Sequence, residues 1–272
     1  MDVPVDVRRL DAGEVDEALG ILDLVFGPPS ASPGARAAME AAPGAWMIAR
    51  RAGKAVGVVT SNDYGSAAFV AMLAVDPAHR RFGVGTRLVE ALLARLEGDG
   101  VRTALLNAAA GAESLYRRLG FVETDRTCVF AREAQPPGDD ALPEVPGGAL
   151  SRALRLDALT CGCDRSAVLR DFAGRPHALV LADEDAYALA RGPVLGPFAA
   201  GSPAAASRLL DRVLAKRPHL DRAFPPQANP HAAAVLEAHG FTCARTLAYM
   251  VRGKPSPFRR ERIYSQASLG HG

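Results

Sequence analysis

Arg80-Arg81-Phe82-Gly83-Val84-Gly85-Thr86 joins an apolar run, Phe69 to Val75, to an amphipathic segment, Thr86 to Leu96, across an Asp76-Pro77 break. The order reads strand, basic glycine loop, helix. Such a loop turns several backbone N–H groups toward one point at a helix N-terminus. Unpaired donors and the helix dipole both favour an anion there. Gly83 and Gly85 allow positive φ and close approach of a ligand to the main chain, and Arg80 and Arg81 add fixed positive charge suited to phosphate. The loop is not a P-loop, because no Gly-Lys-Ser/Thr follows. It lacks the third glycine of a dinucleotide fingerprint. A phosphorylated cofactor is the expected guest; the plainer alternative is a turn whose glycines serve geometry only.

Around the loop, the pattern predicts a strand over 5–10, a helix over 12–26 and a short helical piece over 35–42. A hairpin follows over 46–51 and 55–60, turning at Ala52-Gly53-Lys54. A strand over 67–75 follows the Asp63-Tyr64-Gly65 turn. Beyond the loop come a helix over 86–96, a strand over 103–106, a helix over 113–119 and a strand over 121–131. Residues 134–148 carry Pro136, Pro137, Pro143 and Pro146 with three glycines, a linker composition. A chain of 272 residues, 49% apolar, fits two domains: 1–133, then 149–272 with a tail whose Ile263-Tyr264 suggests a docked strand. A faint repeat supports the division. Leu115-Tyr116-Arg117-Arg118-Leu119-Gly120-Phe121 aligns with Val235-Leu236-Glu237-Ala238-His239-Gly240-Phe241, each a helix closed by glycine and followed by a strand.

Composition excludes several classes. Net charge is only +2, which argues against a nucleic-acid coat and disfavours a tRNA-dependent transferase. No run approaches a membrane span, and no signal peptide is read, so a cytoplasmic location without membrane or nucleic-acid partners is expected. Cys161-Gly-Cys163 lacks zinc spacing, so no metal is expected. Free thiols suit a reducing compartment.

Together these residues resemble the GNAT acyltransferase superfamily, and the two halves resemble a tandem of such domains. The likeness rests on Val75 to Gly85, which carries the superfamily's Arg/Gln-x-x-Gly-x-Gly/Ala signature, and on Leu115-Tyr116 with Gly120-Phe121. It covers 1–133 well and about 150–251 weakly. It implies an α/β (α+β) fold: two domains, each a mixed, mostly antiparallel twisted sheet flanked by helices. It also implies acetyl-CoA (acyl-CoA) as cosubstrate. Main-chain groups at Leu73, Ala74 and Val75 would pair with the pantetheine arm. Arg80, Arg81, Phe82, Gly83, Val84, Gly85 and Thr86 would hold the pyrophosphate. Tyr116 stands where the family keeps the acid that protonates the leaving thiolate, unless it merely packs beside the cofactor. A backbone N–H such as that of Leu73 would hold the oxyanion.

Departures matter too. The strand over 67–75 carries no carboxylate base; Asp63 is the nearest candidate, and deprotonation through water is the favoured route. Many relatives place an Asn where this chain has Ala109; Asn107 either substitutes in holding the cofactor or ends its strand. In the second half Leu236 replaces the Tyr, Asn229 keeps the Asn, and Gly196 to Pro203 lacks the signature, with Pro197 and Pro203 removing two donors. That half is expected not to bind acyl-CoA, and instead to complete the acceptor site or stabilise the first. The resemblance implies an acyl-CoA-dependent N-acyltransferase acting on a small-molecule amine, monomeric or homodimeric. The alternative is an acyl-CoA sensor without turnover.

Overall fold

A computed structural model describes residues 4–27, 33–133, 135–136 and 144–272. Its elements are β1 (Val5–Arg9), α1 (Val15–Phe26), α2 (Pro33–Ala41), β2 (Trp46–Arg51), β3 (Lys54–Tyr64), β4 (Ala67–Val75), α3 (Val84–Gly98), β5 (Thr103–Ala108), α4 (Glu113–Arg118) and β6 (Val122–Ala131). There follow α5 (Ala149–Cys161), α6 (Ser166–Ala173), β7 (Leu179–Ala182), β8 (Ala186–Arg191), β9 (Val194–Ala200), α7 (Pro203–Lys216), β10 (Arg222–Ala223), α8 (Ala232–Glu237), β11 (Thr242–Gly253) and β12 (Ile263–Ser265). The fold is the expected α/β mixture with mostly antiparallel pairing. Contacts divide it into two compact units. One holds the described residues up to Ala104 with Ser114–Phe121 and Arg252–Lys254; the other holds the rest.

In the first unit, β1, β2, β3 and β4 pair antiparallel in that order. Ala52 and Gly53 join β2 to β3, both at positive φ (50° and 77°), as a two-residue hairpin turn of matching twist requires. The β3–β4 hairpin is longer than expected. Ser61 to Tyr64 pair with Ala67 to Val70, so Asp63 lies on a strand and the turn shrinks to Gly65-Ser66. Alternation sends Ile48, Val58 and Ala74 to the face packed by Leu19 and Leu22 of α1. The opposite face receives α3. A Cβ on Gly57 would meet the Leu88 methyl at 2.9 Å and the Val84 methyl at 3.2 Å, so the missing side chain sets how closely α3 lies on the sheet.

The second unit has the sheet order β5, β11, β6, β10, β9, β8, β7, with β12 added to β9. On β7, Leu179 and Leu181 face the core that holds Leu209 and Leu210 of α7 and Phe241, while Val180 faces Leu169 and Phe172 of α6. Each face of that strand is thus apolar, as burial under helices on both sides demands. The expected boundary at 133 does not coincide with the compact units. β6 pairs along nine register positions with β11 and also with β10, so strand pairing places it in the second unit. Most of the proline-rich stretch lies outside the described residues. Glu144 within it is anchored, accepting from Val180 N–H (3.0 Å) and donating to the Ala178 carbonyl (2.7 Å).

The repeat is geometric as well as verbal. Gly120 and Gly240 both sit in the left-handed region, at φ 84° and 83°. Phe121 N–H donates to the Tyr116 carbonyl at 3.1 Å, and Phe241 N–H to that of Leu236 at 3.2 Å. Both are helix stops that satisfy the last carbonyls.

Glu14 pins the start of the chain in the first unit. Arg8 donates to both its carboxylate oxygens (2.8 and 2.7 Å), Arg50 at 2.9 Å and the Asp11 N–H at 3.0 Å. Burial opposes ionisation, but hydrogen bonds from Arg8, the Asp11 backbone and Arg50 overcome it and hold the carboxyl at about 2, below its ordinary 4.5. A depressed folded-state value contributes stability that is complete above the unfolded value and lost as pH falls through the folded one. Glu14→Gln is therefore expected to cost on the order of 2–3 kcal/mol at neutral pH. That difference from the wild type should shrink between pH 4.5 and 2 in denaturant melts; a constant difference would contradict the assignment.

Candidate active site

The loop between β4 and α3 has the geometry of an open anion cradle. Asp76 accepts from Ala78 N–H at 2.9 Å and closes a single 3-10 turn over Pro77–His79. Arg81 (φ 68°) and Gly83 (φ 73°) then both adopt left-handed backbone. Such a conformation costs about 1–3 kcal/mol at a non-glycine residue and persists where surroundings enforce it. Gly83 is the N-cap of α3 and offers no side chain to the first turn. The first loop or helix-cap donor of α3 to find an acceptor is Arg87 N–H, on the Gly83 carbonyl at 3.0 Å. The helix start is thus uncapped, and the dipole adds to it. Arg80 hydrogen-bonds the Val75 carbonyl (3.3 Å), and the Arg51 guanidinium lies 4.1 Å from the Phe82 ring centroid.

β4 is irregular beside this cradle. Val58 opposes Ala74 but Thr60 opposes Ala71, so β4 carries one extra residue at Met72–Leu73, with Met72 at φ 55°. A bulge frees backbone groups from the ladder and re-aims the strand. Ala71, Met72, Leu73 and Val75 are half-buried while Ala74 is buried. A Cβ on Gly85 would lie 3.2 Å from the Leu115 methyl and 3.7 Å from that of Val75. The end of β4, the first turn of α3 and α4 therefore meet at Gly85. The expectation that Gly85 supplies positive φ is corrected here: it lies inside α3, and its missing side chain makes room for Leu115. The contact was invisible in the sequence because Leu115 is 30 residues away.

Tyr116 sits in α4, 7% exposed, edge-on to Phe121 with ring centroids 5.7 Å apart. Burial pushes its phenol up to about 12. Among the described residues no hydrogen bond is made by its hydroxyl. The group is a protonated donor throughout the physiological range.

The remaining candidates are committed elsewhere. The Asp63 carboxylate accepts from Ser61 (2.6 Å) and from Arg95 (2.9 and 3.3 Å), which makes it an ion-pair partner and not a free base. β4 carries no carboxylate. Asn107 donates to Gln266 Oε1 (2.9 Å) and the Leu269 carbonyl (3.1 Å) and accepts from Thr127 (2.7 Å). Both its N–H donors are spent, so donating to a ligand would require these bonds to be exchanged. Among the described residues no His/Cys/Asp/Glu group has metal-binding geometry, and no helix is long and apolar enough to cross a membrane.

Residues 22–121 match the Acetyltransferase (GNAT) family, and residues 153–265 match an Acetyltransferase (GNAT) domain family. A curated relative, the mycothiol acetyltransferase of Saccharopolyspora erythraea, is 33% identical over 143 residues, 47% of this chain and 45% of that protein. The chain thus spans less than half the length of that relative. Among solved structures, a candidate acetyltransferase from Pyrococcus horikoshii superposes with a TM-score of 0.84 at 20% identity, covering 98% of this chain and 96% of that one. A GCN5-related N-acetyltransferase from Kribbella flavida gives 0.66 at 16% identity, covering 92% and 71%. At these identities the structures attest the fold.

The elevated phenol is directly measurable. In an alkaline absorbance titration, the difference between wild type and Tyr116→Phe should show one phenolate forming only near pH 12. A Tyr116 signal at pH 10 would mean the ring is far more open than the geometry indicates.

Proposed function

The chain belongs to the acetyltransferase (GNAT) family, with two such domains in tandem, and from that premise we propose that it moves an acetyl or acyl group from acyl-CoA to the primary amine of a small metabolite. The observation that carries this reading is the convergence at Gly85 of an uncapped helix start, a bulged strand and the Tyr116 helix. The amides from Arg81 to Thr86, with Arg80 and Arg81, suit a pyrophosphate. The backbone freed at Met72–Leu73, continuing through Ala74 and Val75, suits an extended pantetheine arm pairing as an added strand. An amine attacking the thioester there builds charge on the carbonyl oxygen, and a main-chain N–H such as that of Leu73 would stabilise it. Tyr116 would donate to the departing sulfur. Asn107 enters this reading only if the cofactor displaces its present partners.

The amine class is proposed from membership of the acetyltransferase (GNAT) family. The acceptor named for the curated relative does not carry over, since that match covers less than half of either chain. A second reading, acyl-CoA binding without turnover, draws on two observations: Asp63 is bound to Arg95, and β4 offers no carboxylate.

The two readings separate on thiol release from acetyl-CoA in the presence of an amine library. Turnover is expected, with kcat lowered on the order of 10²-fold in Tyr116→Phe and CoA affinity unchanged. CoA binding with no turnover on any amine would favour the sensor. Gly83→Val forces a β-branched residue to φ 73° and should weaken CoA binding roughly 10-fold or more by calorimetry. Unchanged binding would remove the loop from the site.

A further inference from the structure

β9 repeats the irregularity of β4. Ala188 opposes Phe198 but Ala190 opposes Leu195, so one extra residue sits at Gly196–Pro197, shortly before α7. β10 pairs with β9 in parallel at a single position, Arg222 with Val194. Beyond that point a chain segment fills the space between them. Ile263 pairs with Ala199 and Ser265 with Phe198 on the β9 side, and Ser265 Oγ donates to the Leu195 carbonyl (2.7 Å). On the β10 side, Phe224 N–H donates to Ser265 Oγ (2.8 Å) and Gln266 N–H to the Phe224 carbonyl (3.0 Å). Asn229 donates to the Ile263 carbonyl at 3.0 Å, and the Tyr264 ring lies 5.3 Å from that of Phe198. Residues 263–267 are all under 5% exposed.

The bulge itself is shaped to this segment. A Cβ on Gly196 would sit on top of the Gln266 carbonyl oxygen, and Gly196 has φ 149°, so the tail passes where only glycine leaves room. The neighbouring helix start is also closed. Ser202 caps α7 by accepting from Ala205 N–H (3.2 Å), and Pro203 occupies its first turn. In the first unit the corresponding helix start has no side-chain cap.

We propose that the cleft between β9 and β10 is a second slot of the acyl-pantetheine type, and that Ile263–Gln266 occupies it as a built-in ligand. An extended chain with carbonyl and N–H groups on both edges meets the same hydrogen-bonding demands as a pantetheine arm. The tail supplies them at no association cost. One acyl-CoA per chain follows. The proposal rests on the reading of β4 as the pantetheine strand of the first half.

The test uses the full chain with a protease sequence inserted at the exposed Lys254–Pro255, cut after folding. The severed tail should co-elute with the body and exchange with a labelled synthetic peptide of residues 256–272, and millimolar CoA should accelerate its release. A scrambled peptide should not exchange. Gly196→Ala should lose tail retention and melt roughly 5–10 °C lower. Calorimetry on the uncut chain should give one CoA site. A tail that leaves without lowering the melting temperature, a Gly196→Ala chain identical to wild type, release indifferent to CoA, or two CoA sites on the uncut chain would each overturn the proposal. Zero CoA sites would instead sink the catalytic reading of the first half, and the peptide exchange would then decide the tail's role alone.

Discussion

A helix start leaves backbone donors without partners, and the two helices that follow the bulged strands, α3 after β4 and α7 after β9, meet that demand differently. At α3 no side chain answers. Gly83, in left-handed backbone, brings the chain into the helix without a capping oxygen, and Arg81 holds a strained left-handed conformation beside it. At α7 the Ser202 hydroxyl answers, with Pro203 removing a further donor. An uncapped start forgoes roughly 1 kcal/mol that an N-cap would add. In the proposed reading the donors left open at α3 are the ones a pyrophosphate would take up; α5 also starts from a left-handed glycine, Gly148, without a side-chain cap, so it is the basic loop leading into α3 that sets that start apart.

The same contrast runs along the central strands. Both β4 and β9 carry one extra residue against the strand before them, and an extra residue leaves backbone hydrogen-bonding groups that need partners. In β9 the partners come from Ile263 to Gln266 of the chain itself. In the proposed reading the corresponding partners at β4 would come from a bound pantetheine arm.

The sequence carried these features unevenly. Local chemistry was legible: the glycine stops at Gly120 and Gly240, the left-handed Gly83, the Asp76 turn and the strand character of Ile263-Tyr264 all reduce to short-range backbone rules. Features that depend on distant partners were not. Asp63 reads as a turn residue until pairing with Ala68 extends β3 through it. Gly85 reads as a φ requirement until Leu115 is seen against it. Asn107 reads as a ligand group until Thr127, Gln266 and Leu269 claim its amide. The compact units likewise cut across the proline-rich boundary because the pairing of β6 is non-local, and no composition shift records a strand's partner.

The height of the Tyr116 phenol bears on the proposed chemistry more than the lack of a base does. At about 12 it is a weaker acid than an alkyl thiol, which lies near 8.5 in its cysteine form. Full transfer of its proton to a free thiolate is therefore uphill by roughly 5 kcal/mol. A hydrogen bond to the sulfur as charge develops incurs no such penalty and still lowers the barrier. The proton balance closes without an outside base. The attacking amine brings a proton that the amide product does not keep, and the thiol product needs one. A buried phenol between them can pass the first proton on as it gives its own, never resting as phenolate. On this account a dry, high-lying Tyr116 and the absence of a carboxylate on β4 belong to one mechanism, in which the nucleophile must arrive neutral and its own proton completes the leaving group.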